Sequence, residues 1–349
     1  MSEFHFTVVP YDTCVDEVIA FRNANRVLAR DRHYFEWRYQ HRPCQQSAMI
    51  VWGIDSHGRK VAAASIIPHD FYVLDGVYPV GMLGDISVAP ECRGHGIATK
   101  LLQFLQQEST FQSLRACIVL PNDEAARPLE RAGWVSVTSI ARFVKIIDLG
   151  PRLQHWFGRW RPVMVAAHAI NFLSRFVSMD GWGRHRASYQ STEISEFDQD
   201  FDELWCEIPK HGRIMALRNR DYLSWRYREH PTVDYRIFTI RQAQRLRGYI
   251  VFHVDAEVAV IDDFLVAEVA AGAWMIKEFS DHVRRARLAS DIHVRYNADS
   301  FLALPWARFG FVRRPDTQRF MVSEPKADRH PSLPFDGIHS FVTAGDKDV

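Results

Sequence analysis

A six-residue pattern that occurs twice constrains this chain more than any other feature. Tyr34-Phe-Glu-Trp-Arg-Tyr39 returns as Tyr222-Leu-Ser-Trp-Arg-Tyr227, each followed shortly by His and Pro, in His41-Arg-Pro43 and His230-Pro231. Further on, Gly84-Asp-Ile-Ser-Val88 has a counterpart in Asp262-Asp-Phe-Leu-Val266, and Asn122 with Gly133-Trp134 matches Asn297 with Gly310-Phe311. One recurring hexapeptide is weak evidence of duplication. Three markers kept in order, at offsets that differ by only about a dozen residues, mean one folding unit used twice. The length of 349 residues agrees, since a single core rarely grows so large.

Each copy reads as a mixture of helix and strand. In the first, 16–41 has a helical pattern, and short β-rich runs follow at 48–54, 60–68, 71–74 and 78–89. The breaks at Asp55-Ser-His-Gly58 and Asp75-Gly76 carry hairpin chemistry, so these strands are expected to be antiparallel. A helix over 99–107, with Leu101, Leu102, Leu105 and the earlier Ile97 at helical spacing, a strand at 116–120, a helix ending at Ala132-Gly133 and a strand pair over 134–147 complete the unit. Pro128 is awkward in that second helix, which must start late or be distorted.

Composition narrows the function classes. Hydrophobic residues make up 47% of the chain and charged ones 24%, with a net charge of +1, which suits a folded protein and gives no reason to expect nucleic-acid binding. The beginning of the sequence lacks the pattern of a signal peptide, and no run is apolar enough to span a membrane. Five scattered cysteines without a C-x-x-C pair suggest reduced thiols, a cytoplasmic location and no metal site. Between the copies, 152–186 holds arginines and Trp156, Trp160 and Trp182, read as a packed linker helix rather than a membrane-surface one.

The chemistry concentrates after Pro90. A strand ends at Val88-Ala-Pro90, the turn Arg93-Gly-His-Gly-Ile-Ala98 follows, and an amphipathic helix begins. Glycines leave backbone N–H groups free to face a phosphate, and a helix N-terminus adds partial positive charge. The turn is a cradle for a pyrophosphate, with neither the dinucleotide fingerprint nor the Gly-Lys-Ser/Thr of a P-loop.

Ile86-Ser-Val-Ala-Pro-Glu-Cys-Arg-Gly-His-Gly-Ile-Ala98 with Leu101-Leu102 resembles the acyl-CoA motif of the GNAT acyltransferase superfamily, and Asn122 through Gly133-Trp134 is similar to its downstream Asn…Gly-Phe segment. The resemblance covers about the first 145 residues and reaches the second copy only through the repeat, because Ala267-Glu-Val-Ala-Ala-Gly-Ala273 lacks the cradle. It implies an α/β (α+β) fold of two tandem GNAT-like domains, each a twisted mixed, mainly antiparallel sheet flanked by helices. The expected divisions are 1–148 for the acyl-CoA-binding domain, 149–195 for the linker, 196–324 for a degenerate second domain and 325–349 for a tail in which 338–343 adds a strand.

The resemblance also implies acetyl-CoA or another acyl-CoA as co-substrate and transfer to an amine, on a small metabolite or an amino sugar. Carried over, Arg93, Gly94, His95, Gly96, Ile97 and Ala98 would hold the pyrophosphate by their backbone, Ile86, Ser87 and Val88 would pair with the pantetheine arm, and Asn122 would sit near the pantetheine or the acceptor. The family's usual tyrosine acid is replaced by Leu129, and by Trp306 in the second copy. An attacking amine must be neutral, which makes Asp85 the candidate base, ahead of Glu91 and Asp123, with an arginine-paired or bulge-capping carboxylate as its competing reading. Cys117 reads as a buried small hydrophobe, and the paired Trp-Arg motifs as docking segments repeated with the fold. A CoA-binding sensor and an aminoacyl-tRNA-dependent peptidyl transferase are the alternative functions.

Overall fold

The computed structural model describes residues 4–158, 162, 165, 189–316, 318–325 and 339–347. The strands form two mixed, mostly antiparallel sheets. The first follows β1 (His5–Pro10), β2 (Met49–Ile54), β3 (Lys60–Val73), β4 (Gly76–Val88), β5 (Cys117–Val119), β15 (Arg319–Ser323) and β6 (Val135–Ser139). The second follows β14 (Val312–Arg314), β7 (Ala141–Ile146), β13 (Asp291–Tyr296), β12 (Val258–Val266), β11 (Arg245–Asp255), β10 (Arg236–Gln242) and β8 (Tyr189–Ile194). At the far end of β3, β9 (Ile214–Ala216) pairs antiparallel, and β16 (Ser340–Phe341) pairs parallel to β9.

The expected strand pair over 134–147 does not stay together. β6 remains in the first sheet while β7 crosses to the second, antiparallel to β13. In return β15, encoded almost at the end of the second copy, lies antiparallel between β5 and β6. The arrangement β5–β15–β6 is mirrored by β13–β7–β14, so each copy lends one strand to the other. The ranges 1–148 and 196–324 therefore each hold strands of both sheets, and β8 falls inside the range read as linker. Of the linker itself, a helix Gly150–Phe157 is described, and the readings placed on Trp160 and on 166–188 lie outside the described residues.

Burial follows the same plan. One apolar core draws on both copies, from Trp37, Ile67 and Phe71 to Tyr249, Phe264 and Tyr296. A second core lies on the outer face of the first sheet, where Ile97, Leu101, Leu102 and Leu105 of α3 (Ile97–Leu105) pack on Val51 and Leu83, and where Met321 of the exchanged β15 is also buried. The four α3 residues are the helical-period stripe read from sequence.

The single helix read over 16–41 is two helices, α1 (Val15–Asn25) and α2 (Arg32–Tyr39). Short-range polar groups break it. Asn23 clasps residue 30 with two hydrogen bonds of 2.9 Å, and Asp31 caps α2 by accepting from the Tyr34 amide at 2.9 Å. The runs at 60–68 and 71–74 are one strand, β3. The helix Asp123–Arg131 begins early, capped by Asn122, and carries Pro128 inside it. Gly133 ends it with φ +90°, and Gly310 repeats that left-handed stop at φ +79° in the second copy. The repeated Gly-aromatic marker is thus a helix stop.

Candidate active site

β4 and β5 run parallel only where Gly81 and Met82 face Cys117 and Ile118. Beyond that point they part, and the gap opens into a cleft of about 670 Å³. Its wall includes Ile86, Ser87 and Val88 from the end of β4, Arg93, Ala98 from the first turn of α3, and Asn122. Six of the residues singled out for acyl-CoA thus meet at one opening.

The turn between β4 and α3 has the backbone that its glycines require. Gly94 and Gly96 have φ of +83° and +73°, a region costly for residues with a Cβ, and the space beside both is open. Gly96 caps α3, and the first helical bond runs from the Lys100 amide to the Gly96 carbonyl at 3.1 Å. The amides of the first turn therefore have no partner within the helix, which fits an anionic ligand. Arg93 is steadied by donating from Nε to the Val88 carbonyl at 3.0 Å. His95 stands exposed, its Nδ1 3.3 Å from the Cys92 carbonyl. Asn122 spends its Oδ1 on the Ala125 amide at 2.9 Å while facing the cleft, so it is a cap as well as a wall.

Asp85 sits on a β-bulge, where Asp85 and Ile86 together oppose Ala64, and its φ of +54° is rare for a non-glycine residue. Arg26 holds its carboxylate at 2.8 Å, and Arg22 and Arg38 each at 3.3 Å. The Tyr39 hydroxyl donates to the same carboxylate, and Arg22 also donates to the Asp85 carbonyl. Although burial opposes ionisation, these guanidiniums and the tyrosine hold the carboxyl well below its usual range. A carboxylate so stabilised is a poor proton acceptor. The geometry is that of the arginine-paired, bulge-capping reading of Asp85. Asp123 lies in the first turn of its helix and Glu91 is exposed outside the cleft wall. Cys117 is fully buried, and burial pushes its thiol up.

The repeated Trp-Arg motifs form the seam between the copies. The Trp37 and Trp225 rings stack at 5.3 Å and 20°, and each indole donates to the other's backbone carbonyl, at 2.8 and 2.9 Å. This reciprocal pair is what a pseudo-two-fold relation demands, and it matches the docking role read from the repeat.

The corresponding place in the second copy is built differently. Its helix Val269–Arg285 replaces the cradle, and Gly272 there lies against Leu304, where a Cβ would come within 2.5 Å of the leucine. Where β12 and β13 part, the chain's own C-terminal segment enters. The Asn297 amide donates to the Val342 carbonyl at 3.0 Å, the Val342 amide donates to Asn297 Oδ1 at 2.8 Å, and the Thr343 hydroxyl donates to Asp263 at 3.0 Å. Asp263, the counterpart of Asp85, is also held by Arg218 at 3.0 Å, and Arg218 reaches Asp346 at 2.7 Å. None of this was visible in sequence beyond the expected last strand. Arg22 on α1 and Arg26 at its C-cap were the available signal for the Asp85 cluster.

A parallel opening beside a glycine cradle, in a sheet of this order, is the arrangement that the acyl-CoA resemblance implies. Residues 15–134 match the profile of the acetyltransferase (GNAT) domain. No curated protein matches the sequence significantly. Among solved structures, a GCN5-related N-acetyltransferase from Anabaena variabilis aligns over 93% of this chain and 73% of its own, with a TM-score of 0.62 and 15% identity. A tandem GNAT protein from the clavulanic acid biosynthesis pathway aligns over 93% of this chain and all of its own, with a TM-score of 0.53 and 14% identity. N-myristoyltransferase from Saccharomyces cerevisiae, with bound myristoyl-CoA, covers 97% of this chain and 85% of its own at a TM-score of 0.55 and 12% identity. Residues 15–134 are thus similar to a GNAT domain, and the whole chain shares the fold of these neighbours, a tandem GNAT protein among them.

Proposed function

We propose that this chain is an acyl-CoA-dependent N-acyltransferase that binds one acyl-CoA per chain, in the first copy only, and acylates the amine of a small metabolite or amino sugar. The observation that carries the reading is the asymmetry between the copies: one opening has a glycine cradle at its mouth, and the other is filled by the chain's own C-terminal segment. The backbone of 93–98 would hold the pyrophosphate, and 86–88 would run beside the pantetheine arm as an added strand. The thioester supplies the activated acyl group. Asp85 acts by position, fixing α1 and α2 against the bulge so that the cleft keeps its shape.

The inner end of the cleft favours a short acyl group such as acetyl, because the charged cluster around Asp85 lines it and an apolar chain would gain nothing there. Arg26 and Arg30 at the rim, beside Tyr34 and Phe35, suit an acceptor with a polar or anionic group next to its amine. Among the described residues of the wall, Asp85 and Glu124 are the carboxylates and no histidine is present. The acceptor amine then loses its proton to solvent.

Calorimetry with acetyl-CoA, followed by a thiol-release assay over a panel of amines, tests this. One binding event per chain and release dependent on an amine are expected. Absence of CoA binding would overturn the reading, and binding without release for any amine would favour a CoA-binding sensor.

A further inference from the structure

The C-terminal segment that enters between β12 and β13 is held like a resident ligand of the second copy. Arg218 Nη2 donates to the Asp346 carboxylate at 2.7 Å, Asp263 accepts from the Thr343 hydroxyl at 3.0 Å, and Asn297 exchanges two hydrogen bonds with Val342. By the repeat, Arg218, Asp263 and Asn297 correspond to Arg30, Asp85 and Asn122, and all three of these line the cleft of the first copy. The match at Arg30 is fixed by its neighbours. Each arginine stands immediately before a helix cap, where Asp31 accepts from the Tyr34 amide at 2.9 Å and Asn219 from the Tyr222 amide at 3.1 Å.

We propose that Arg30 is the specificity-determining residue of the acceptor site and takes a carboxylate of the acceptor, as Arg218 takes that of Asp346. The substrate class is then an amine that carries a carboxylate, such as an amino acid. This rests on the acyltransferase reading and narrows its acceptor.

The two copies differ in what their aspartate asks of this arginine. In the second, Arg218 also serves Asp263, at 3.0 Å. In the first, Asp85 is already held by Arg22, Arg26 and Arg38, and Arg30, among the described residues, is bound to no carboxylate. Arg30 is nevertheless held in place. Asn23 clasps its backbone with two hydrogen bonds of 2.9 Å, and its guanidinium lies over the Tyr34 ring at 4.8 Å. A guanidinium stacked on an aromatic face keeps its N–H edge for a planar, bidentate partner, which a carboxylate is. Loop and side chain are thus ordered before an acceptor arrives, which lowers the cost of binding it.

The acceptor's ammonium gives one proton to solvent, its nitrogen bonds to the thioester carbonyl carbon, the carbon–sulfur bond breaks, and the departing CoA sulfur takes the second proton. The carboxylate on Arg30 enters none of these steps and holds the nitrogen in position.

Thiol release from acetyl-CoA by the full chain, measured with amino acids, the amide of each and amino sugars without an acid group, tests the assignment. Amino acids are expected to exceed their amides by about 10- to 100-fold in kcat/KM, the effect of a charge-assisted pair. Arg30→Gln should abolish the preference, chiefly through KM, so that acid and amide are used alike, and Arg30→Lys should recover part of it. Acetyl-CoA binding by calorimetry shows that each variant is folded. A wild-type chain that uses amides or acid-free amines as well as amino acids, or an Arg30→Gln variant that keeps the preference, overturns the proposal and leaves the acyltransferase reading in place. Thiol release with no amine at all overturns both.

Discussion

At the scale of single residues, the decisive contrast is between Gly96 and Asp85. Both have positive φ, but one leaves open space for a ligand and the other is enclosed by cations. Gly96→Asp adds backbone strain and a negative charge where the pyrophosphate would lie, so acetyl-CoA affinity measured by calorimetry should fall at least about 100-fold. Asp85→Asn breaks a buried pair and should cost about 3–5 kcal/mol at pH 7 in denaturant unfolding. The sign with pH follows from the depressed carboxyl. Its contribution is complete above the unfolded carboxylate range, near pH 4, and is lost as pH falls below it, so the wild-type and variant curves should converge only in acid. Catalytic pH dependence should differ. With no histidine in the cleft wall, kcat/KM is expected to climb steadily toward the pKa of the acceptor amine. A plateau set between about pH 6 and 7 would mean that a base of the protein is involved.

At the scale of elements, caps and breaks do work that hydrophobic pattern does not announce. The gap between α1 and α2 puts Val27 and Leu28 in solvent at the rim of the cleft, with Arg26 and Arg30 on either side. Reading 16–41 as one helix missed this, because apolar spacing continues through the break while Asn23 and Asp31 redirect the backbone. Asn122 shows the reverse. The resemblance marked it for the cofactor, and its measurable duty is to cap a helix. Asn122→Ala should therefore lower stability by about 1 kcal/mol, and Asn122→Asp, which retains the cap, should restore it. Melting of the three proteins without ligand checks this.

At the scale of the molecule, the exchange of β7 and β15 makes two copies into one cooperative unit. A fragment covering 1–148 would keep β5 and β6 without the strand between them and would carry β7 without its partner. Such edges bind other chains or aggregate. The fragment alone is expected to be insoluble, and coexpression with 149–349 should recover a folded, CoA-binding pair. Soluble, cooperatively unfolding 1–148 would contradict the exchange. The seam makes a consistent demand: Trp37→Ala should cost about 3–5 kcal/mol and Trp225→Ala a similar amount, read as a shift of the single unfolding transition.

The sequence by itself determined the duplication, the sheet-and-helix class of each copy, the cradle at Arg93–Ala98 and the amphipathic face of α3, because local patterns record short-range geometry. Only the tertiary structure decided which strand lies between β5 and β6, how Asp85 is charged and what fills the second copy's opening. Those outcomes rest on contacts between segments far apart in the chain. A strand exchanged between two copies of one fold has the same alternation as one that stays at home, and an aspartate on a bulge gives no sign of the three arginines that will surround it. The repeat announced two copies; their shared core and borrowed strands make them one protein.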